Sequence, residues 1–119
     1  MWSVGLHPTF RAEFKALPVS VHDKLLAYAE LIERFGPTLG RPWADSLNGS
    51  RHRNMKELRF SAGGGTWRVA FAFDPNRRAI LLAIGDKSKV EGKRFYRSLI
   101  AQADQRFDVY IENMGGKEV

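Results

Sequence analysis

Lys56, Arg59, Arg68, Lys87, Arg94 and Tyr96 are the side chains in this sequence that could do chemistry together. Cations can assist one reaction in particular, the cleavage of an RNA phosphodiester by its own 2′-hydroxyl. The 2′ oxygen attacks the adjacent phosphorus and the 5′ oxygen leaves. Negative charge gathers on the non-bridging oxygens, where a fixed Arg or Lys stabilises it. A base must take the 2′ proton and an acid must protonate the leaving oxygen. A lysine crowded by other cations has its pKa lowered towards the working range and can serve there. Such a site needs no metal.

Each candidate also has a plainer role. Lys56 and Arg59 lie on opposite faces of one strand by alternation, so both point into one site only if a bulge or a strand end intervenes. Arg59 and Arg68 therefore rank ahead of Lys56. Arg68 could simply pair with Glu57. Lys87 closes a strand, and Arg94 opens a helix, where solvated charge is ordinary. Tyr96 could cap the core with its hydroxyl at the surface. His52, in a basic loop, is a weaker candidate for acid or base.

Other chemistries find little support. There is no cysteine, which removes disulfides, thiolate catalysis and cysteine-bound zinc. His7, His22 and His52 are scattered without a His-x-x-x-His pair, so neither a metal nor any other cofactor is expected. Gly63-Gly64-Gly65 lacks the Lys-Ser/Thr and helix of a phosphate loop and reads as a hairpin turn. The acidic residues fall mostly on helix surfaces, not as a catalytic pair.

Charge is unevenly spread. The chain of 119 residues has 19 Lys/Arg and 13 Asp/Glu; residues 51–97 hold 12 of the former and 4 of the latter, leaving 7 and 9 elsewhere. A one-sided basic stretch suits a polyanion, or an acidic protein partner. No apolar run is long enough to span a membrane. The N-terminus has no basic segment followed by an apolar one, so a cytoplasmic protein is expected.

The elements that must position these residues follow from periodicity. Trp2, Val4 and Leu6 alternate as a short strand. Phe10, Phe14 and Leu17 mark a helix opened by Pro8. Leu25, Tyr28, Ala29, Ile32 and Phe35 mark a second helix, with Ser20 as N-cap and Gly36-Pro37 as stop. Residues 38–53 read as a long loop, with Trp43 and Leu47 tucked onto the core. Three strands follow. In the one from Thr66, Trp67, Val69, Phe71 and Phe73 share a bulky face for the helical hairpin, whereas Arg68, Ala70 and Ala72 share a small face with room above it. Residues 80–84 are apolar throughout, as in a strand covered on both sides. Asp74-Pro75-Asn76-Arg77 is a turn. After Lys93, Phe95, Leu99, Ala103, Phe107 and Tyr110 mark a final helix. The expected class is α+β, a small antiparallel sheet with order β-α-α-β-β-β-α. Residues 1–113 form one domain, with a flexible tail at 114–119.

At this point a family resemblance becomes specific. Met-Lys-Glu-Leu-Arg at 55–59, Trp-Arg-Val-Ala-Phe-Ala-Phe-Asp-Pro at 67–75 and Ile-Leu-Leu-Ala-Ile-Gly-Asp-Lys-Ser at 80–88 resemble the HigB-like, phage-derived branch of the RelE/ParE toxin superfamily. Residues 35–42, Arg94-Phe95-Tyr96-Arg97 and Ala103-Asp104 fit as well. The resemblance implies the toxin of a type II toxin–antitoxin system, an endoribonuclease cutting mRNA on the ribosome. It places catalysis on Lys56, Arg59, Arg68, Lys87 and Tyr96, and RNA contact on Arg51, Arg53, Lys89, Lys93 and Arg94. The implied partners are a cognate antitoxin of helix-turn-helix type, mRNA and the ribosome, with operator DNA reached only through the antitoxin and no membrane. The sequence departs from the pattern at Lys89-Val90-Glu91-Gly92, where that branch has a Gly directly after Lys87-Ser88. Two other functions suit the same residues: a ParE-like gyrase inhibitor, which needs no RNA site, and a non-enzymatic basic module that binds nucleic acid.

Overall fold

The computed structural model describes residues 1–117. Its elements are β1 (Ser3–Leu6), α1 (Pro8–Lys15), α2 (Val19–Phe35), β2 (Ala44–Ser46), β3 (Met55–Ala62), β4 (Gly65–Phe73), β5 (Arg78–Asp86) and α3 (Gly92–Lys117). The class is α+β, as expected. The sheet has five strands in the order β1-β5-β4-β3-β2 and is mixed, because β1 runs parallel to β5. The extra strand β2 lies inside the expected loop at 38–53 and pairs antiparallel with Lys56–Leu58 on the open edge of β3.

The two faces of β4 decide the layering. Val69, Phe71 and Phe73 join Phe10, Val21, Leu25 and Ile32 in a core under the helical hairpin. Ala70 and Ala72 join Leu99, Ala103 and Phe107 in a second core under α3. The small face is thus filled by the last helix. On β5 the register slips by one residue beside Ala70 and Phe71, so that Ala70 pairs with Ala83 but Phe71 with Leu81. The Leu82 carbonyl freed by this bulge accepts from Arg106 Nη1 at 2.7 Å. The same guanidinium grips Glu13 of α1 with both nitrogens.

Turn chemistry fixes the ends. Gly63 and Gly64, with φ of 53° and 80°, make the β3–β4 turn. Asp74 Oδ1 accepts from the Asn76 and Arg78 amides and closes the β4–β5 turn. Gly36 stops α2 at φ 56°, and a Cβ there would collide with the Trp2 ring. The N-cap of α2 is Pro18, not Ser20: its extended carbonyl already receives the Val21 and His22 amides. Trp43 is also not tucked in. The pleat of β2 buries Ala44 and leaves Trp43 42% exposed, whereas Leu47 is buried. Of the tail expected at 114–119, residues 114–117 continue the backbone of α3, and 118–119 lie outside the described residues.

Candidate active site

The β3–β4 register places Arg59 directly opposite Arg68, on the face that carries α3. Like charges in that position repel. Glu57, two residues earlier on the same face of β3, resolves the conflict. Its Oε2 accepts from Arg59 Nη1 at 2.9 Å, and its Oε1 lies 3.8 Å from Arg68 Nε. Glu57 and Arg68 are both buried. A carboxylate is tolerated in such a place only when it is paired and hydrogen-bonded.

Small neighbours open a space above this triad. Glu57 faces Ala70 across the sheet, and Arg68 faces Gly85. The Tyr96 phenol fills the space: its O–H donates to Glu57 Oε1 at 2.9 Å and its oxygen accepts from Arg68 Nε at 3.3 Å. Arg68 Nη1 is spent on the Trp67 carbonyl at 2.9 Å. The first turn of α3 can come this low because residue 85 is glycine; a Cβ there would stand 2.8 Å from Phe95 Cε1.

Lys87 joins from the turn that follows β5. Its Nζ sits 5.7 Å from the centre of the Tyr96 ring, in cation–π range. It belongs to a short turn, Lys87–Lys89, held by Asp86, whose Oδ1 accepts from the Thr66 and Ser88 amides and from Ser88 Oγ. Burial raises the pKa of Tyr96; the Arg68 hydrogen bond opposes this and Glu57 reinforces it, so the phenol keeps its proton at neutral pH. Beside Glu57, Arg59 and Tyr96 lies a cleft of about 260 Å³ whose far wall is Arg41, Asp45 and Asn48. The stretch at 38–53 therefore forms one side of the site.

Four of the five residues placed at the catalytic centre thus come together: Arg59, Arg68, Lys87 and Tyr96. Lys56 does not join them. It points to the hairpin side, where Nζ donates to the carbonyls of Pro37 at 2.9 Å and Leu39 at 2.5 Å and pins the turn after α2. Burial lowers the pKa of that ammonium. Among the RNA-contact candidates, Arg51 is clasped to α3 by Asp104 and Asp108. His52 also bonds Asp108, at 2.7 Å, which with Arg51 holds that carboxyl below its usual range. Arg53, Lys89, Lys93 and Arg94 are exposed and make no ion pair with the described residues.

Sequence reasoning had Glu57 only as a partner for Arg68. Its place on the Arg59 face was readable from alternation; its contact with Tyr96 was not. The clasp of Ser50 Oγ on buried Asp104, at 2.5 Å, was also missed. Among the described residues no three His, Asp or Glu side chains gather as a metal-binding set. Among the described residues no helix is long and apolar enough to cross a membrane.

Residues 12–108 match the family described as phage-derived protein Gp49-like (DUF891). Over 114 residues the chain is 42% identical to "Putative toxin HigB3" of Mycobacterium tuberculosis, covering 96% of this chain and 97% of that protein. It is 42% identical over 101 residues to "Putative toxin HigB2" of the same organism, covering 84% of this chain and 50% of that protein. No solved structure matches the chain significantly. The chain therefore belongs to the Gp49-like family of phage-derived proteins, with the HigB-like toxins.

Proposed function

We propose that the protein is the toxin of a type II toxin–antitoxin pair and an endoribonuclease that cuts mRNA on translating ribosomes without a metal. The observation that carries this reading is a protonated tyrosine set among three cations, with its hydroxyl fixed by Glu57 and Arg68. The similarity to proteins named as HigB toxins supports the toxin role, and a toxin of this kind needs a cognate antitoxin, taken to be of helix-turn-helix type.

The groups suit 2′-hydroxyl attack. A bond forms between the 2′ oxygen and phosphorus, the 2′ proton leaves to water, and the bond from phosphorus to the 5′ oxygen breaks. Tyr96, un-ionised at neutral pH, gives its proton to the departing 5′ oxygen. Arg59, which lines the cleft, and Lys87, beside the Tyr96 ring, stabilise the non-bridging oxygens. Arg68 is buried and spent on Trp67 and Tyr96, so it acts through Tyr96 as a positioning residue.

The test is to incubate purified protein with translating ribosomes and map the 5′ ends of the mRNA. Wild type should cut, and Tyr96→Phe, which keeps the ring, should cut at least roughly 100-fold more slowly. Undiminished cutting by a folded Tyr96→Phe protein would remove Tyr96 from the chemistry. Intact mRNA with accumulating double-strand DNA breaks would replace the whole reading by gyrase inhibition.

A further inference from the structure

A second cleft, of about 560 Å³, lies between the end of β5 and the first turns of α3, bordered by Phe95. It is open because β1 pairs only with Arg78–Leu81, so β5 has no strand neighbour on that side beyond the bulge. Ile84, Val90 and Leu99 give it an apolar lining, and Arg94 and Arg97 stand on its rim. Val90 is 41% exposed.

Five arginines, Arg41, Arg51, Arg59, Arg68 and Arg106, are each held by a carboxylate. Arg94 and Arg97, three apart on one helical face, are exposed and make no ion pair with the described residues. The one carboxylate lining the cleft, Asp86, already accepts three hydrogen bonds. Exposed Lys89 and Lys93 add to the positive potential. An apolar wall beside two free guanidinium groups matches one chemistry well: a flat base next to a phosphate. The volume suits a ligand of nucleotide size.

We infer that this cleft is a second subsite for single-stranded RNA, in which Arg94 and Arg97 take a phosphate on each side of a nucleotide whose base lies on Val90 and Ile84. The inference rests on the reading of the substrate as RNA. An acidic protein segment would also meet the arginines. Position favours RNA: this cleft and Tyr96 of the candidate active site both lie at the first turns of α3.

The experiment measures binding of a fully 2′-O-methylated oligonucleotide, which lacks the attacking hydroxyl, by fluorescence anisotropy across a salt series. The double variant Arg94→Ala/Arg97→Ala should bind on the order of tenfold more weakly. Its log–log salt slope should fall by about 1.4, since each phosphate contact on a single strand contributes about 0.7. The control Arg11→Ala/Lys15→Ala, which removes equal charge from exposed positions of α1, should bind as wild type. Equal weakening in the control, unchanged binding in the double variant, or no binding by wild type overturns the subsite. So does a double variant that loses an acidic antitoxin but not RNA. If wild type binds the oligonucleotide through these arginines yet cuts no mRNA, the subsite stands and the nuclease reading falls.

Discussion

Replacing Glu57 with Gln keeps the side chain's shape and removes its charge. Two arginines then face each other across β3 and β4 with nothing between them. The Arg59 side chain, 24% exposed, can turn into the cleft and recover water; that of Arg68, 8% exposed, cannot. Breaking a buried pair by removing one partner costs roughly 3–5 kcal/mol. Here the Gln carbonyl still accepts the Tyr96 hydroxyl, and Arg68 keeps the Trp67 carbonyl. The cost should therefore sit at the low end, about 3 kcal/mol, which for a domain of this size lowers the melting midpoint by roughly 10 °C. Urea unfolding at low and high salt is the assay. The loss should persist at high salt, because buried charges are poorly screened. Removing both charges, as Glu57→Leu with Arg68→Met, should recover most of it. A Glu57→Gln protein within about 0.5 kcal/mol of wild type, or a loss that vanishes in salt, would show that the triad is a weak surface pair and refute the reasoning.

Gly85→Ala puts a Cβ 2.8 Å from Phe95 Cε1 and should lift the first turn of α3; the expected cost is about 1–3 kcal/mol, with the Tyr96 hydroxyl more accessible to solvent by ultraviolet difference absorption. Burial, and then the hydrogen bond to Asp74, push the Tyr110 phenol up to about 12. The folded protein thus holds that proton more tightly than the unfolded chain, whose phenols titrate near ~10. The stability this brings is complete below about pH 10 and is lost as pH rises through about 12. Urea midpoints of wild type and Tyr110→Phe should therefore converge over that window, and parallel curves would refute the assignment.

The layering was legible because it rests on local periodicity. Alternation along residues 67–73 sorts bulky from small side chains, and the two faces bury against the hairpin and α3 accordingly. What alternation cannot express is strand direction and insertion. The parallel pairing of β1 depends on a hydrogen-bond edge of β5 that only the folded sheet offers. The three residues of β2 are too short to show a period, and they became a strand because β3 had a free edge beside them. The bulge at Leu82 is invisible in a run that is apolar at every position; the structure reveals it by what Arg106 does with the freed carbonyl.

The candidate site follows the same division. Opposition of Lys56 and Arg59 was readable from a period of two and is what the strand adopts, with Lys56 fastening carbonyls on the hairpin side. The linear excess of cations was readable too, but its meaning was not, since it depends on contacts between residues far apart in sequence. Asp104 and Asp108 of α3 hold Arg51, and Glu57 holds Arg59 and Arg68. Subtracting these pairs leaves little free positive charge on β3 and β4; apart from Arg53, Arg77 and Arg78, it gathers at the turn and helix start, at Lys87, Lys89, Lys93, Arg94 and Arg97. A polyanion drawn to this protein should therefore meet α3 first and reach Tyr96 along it. On that ground the two subsites should act as one track: charge at the start of α3 governs capture, and the Glu57–Arg68–Tyr96 constellation governs what happens to the phosphate once it arrives.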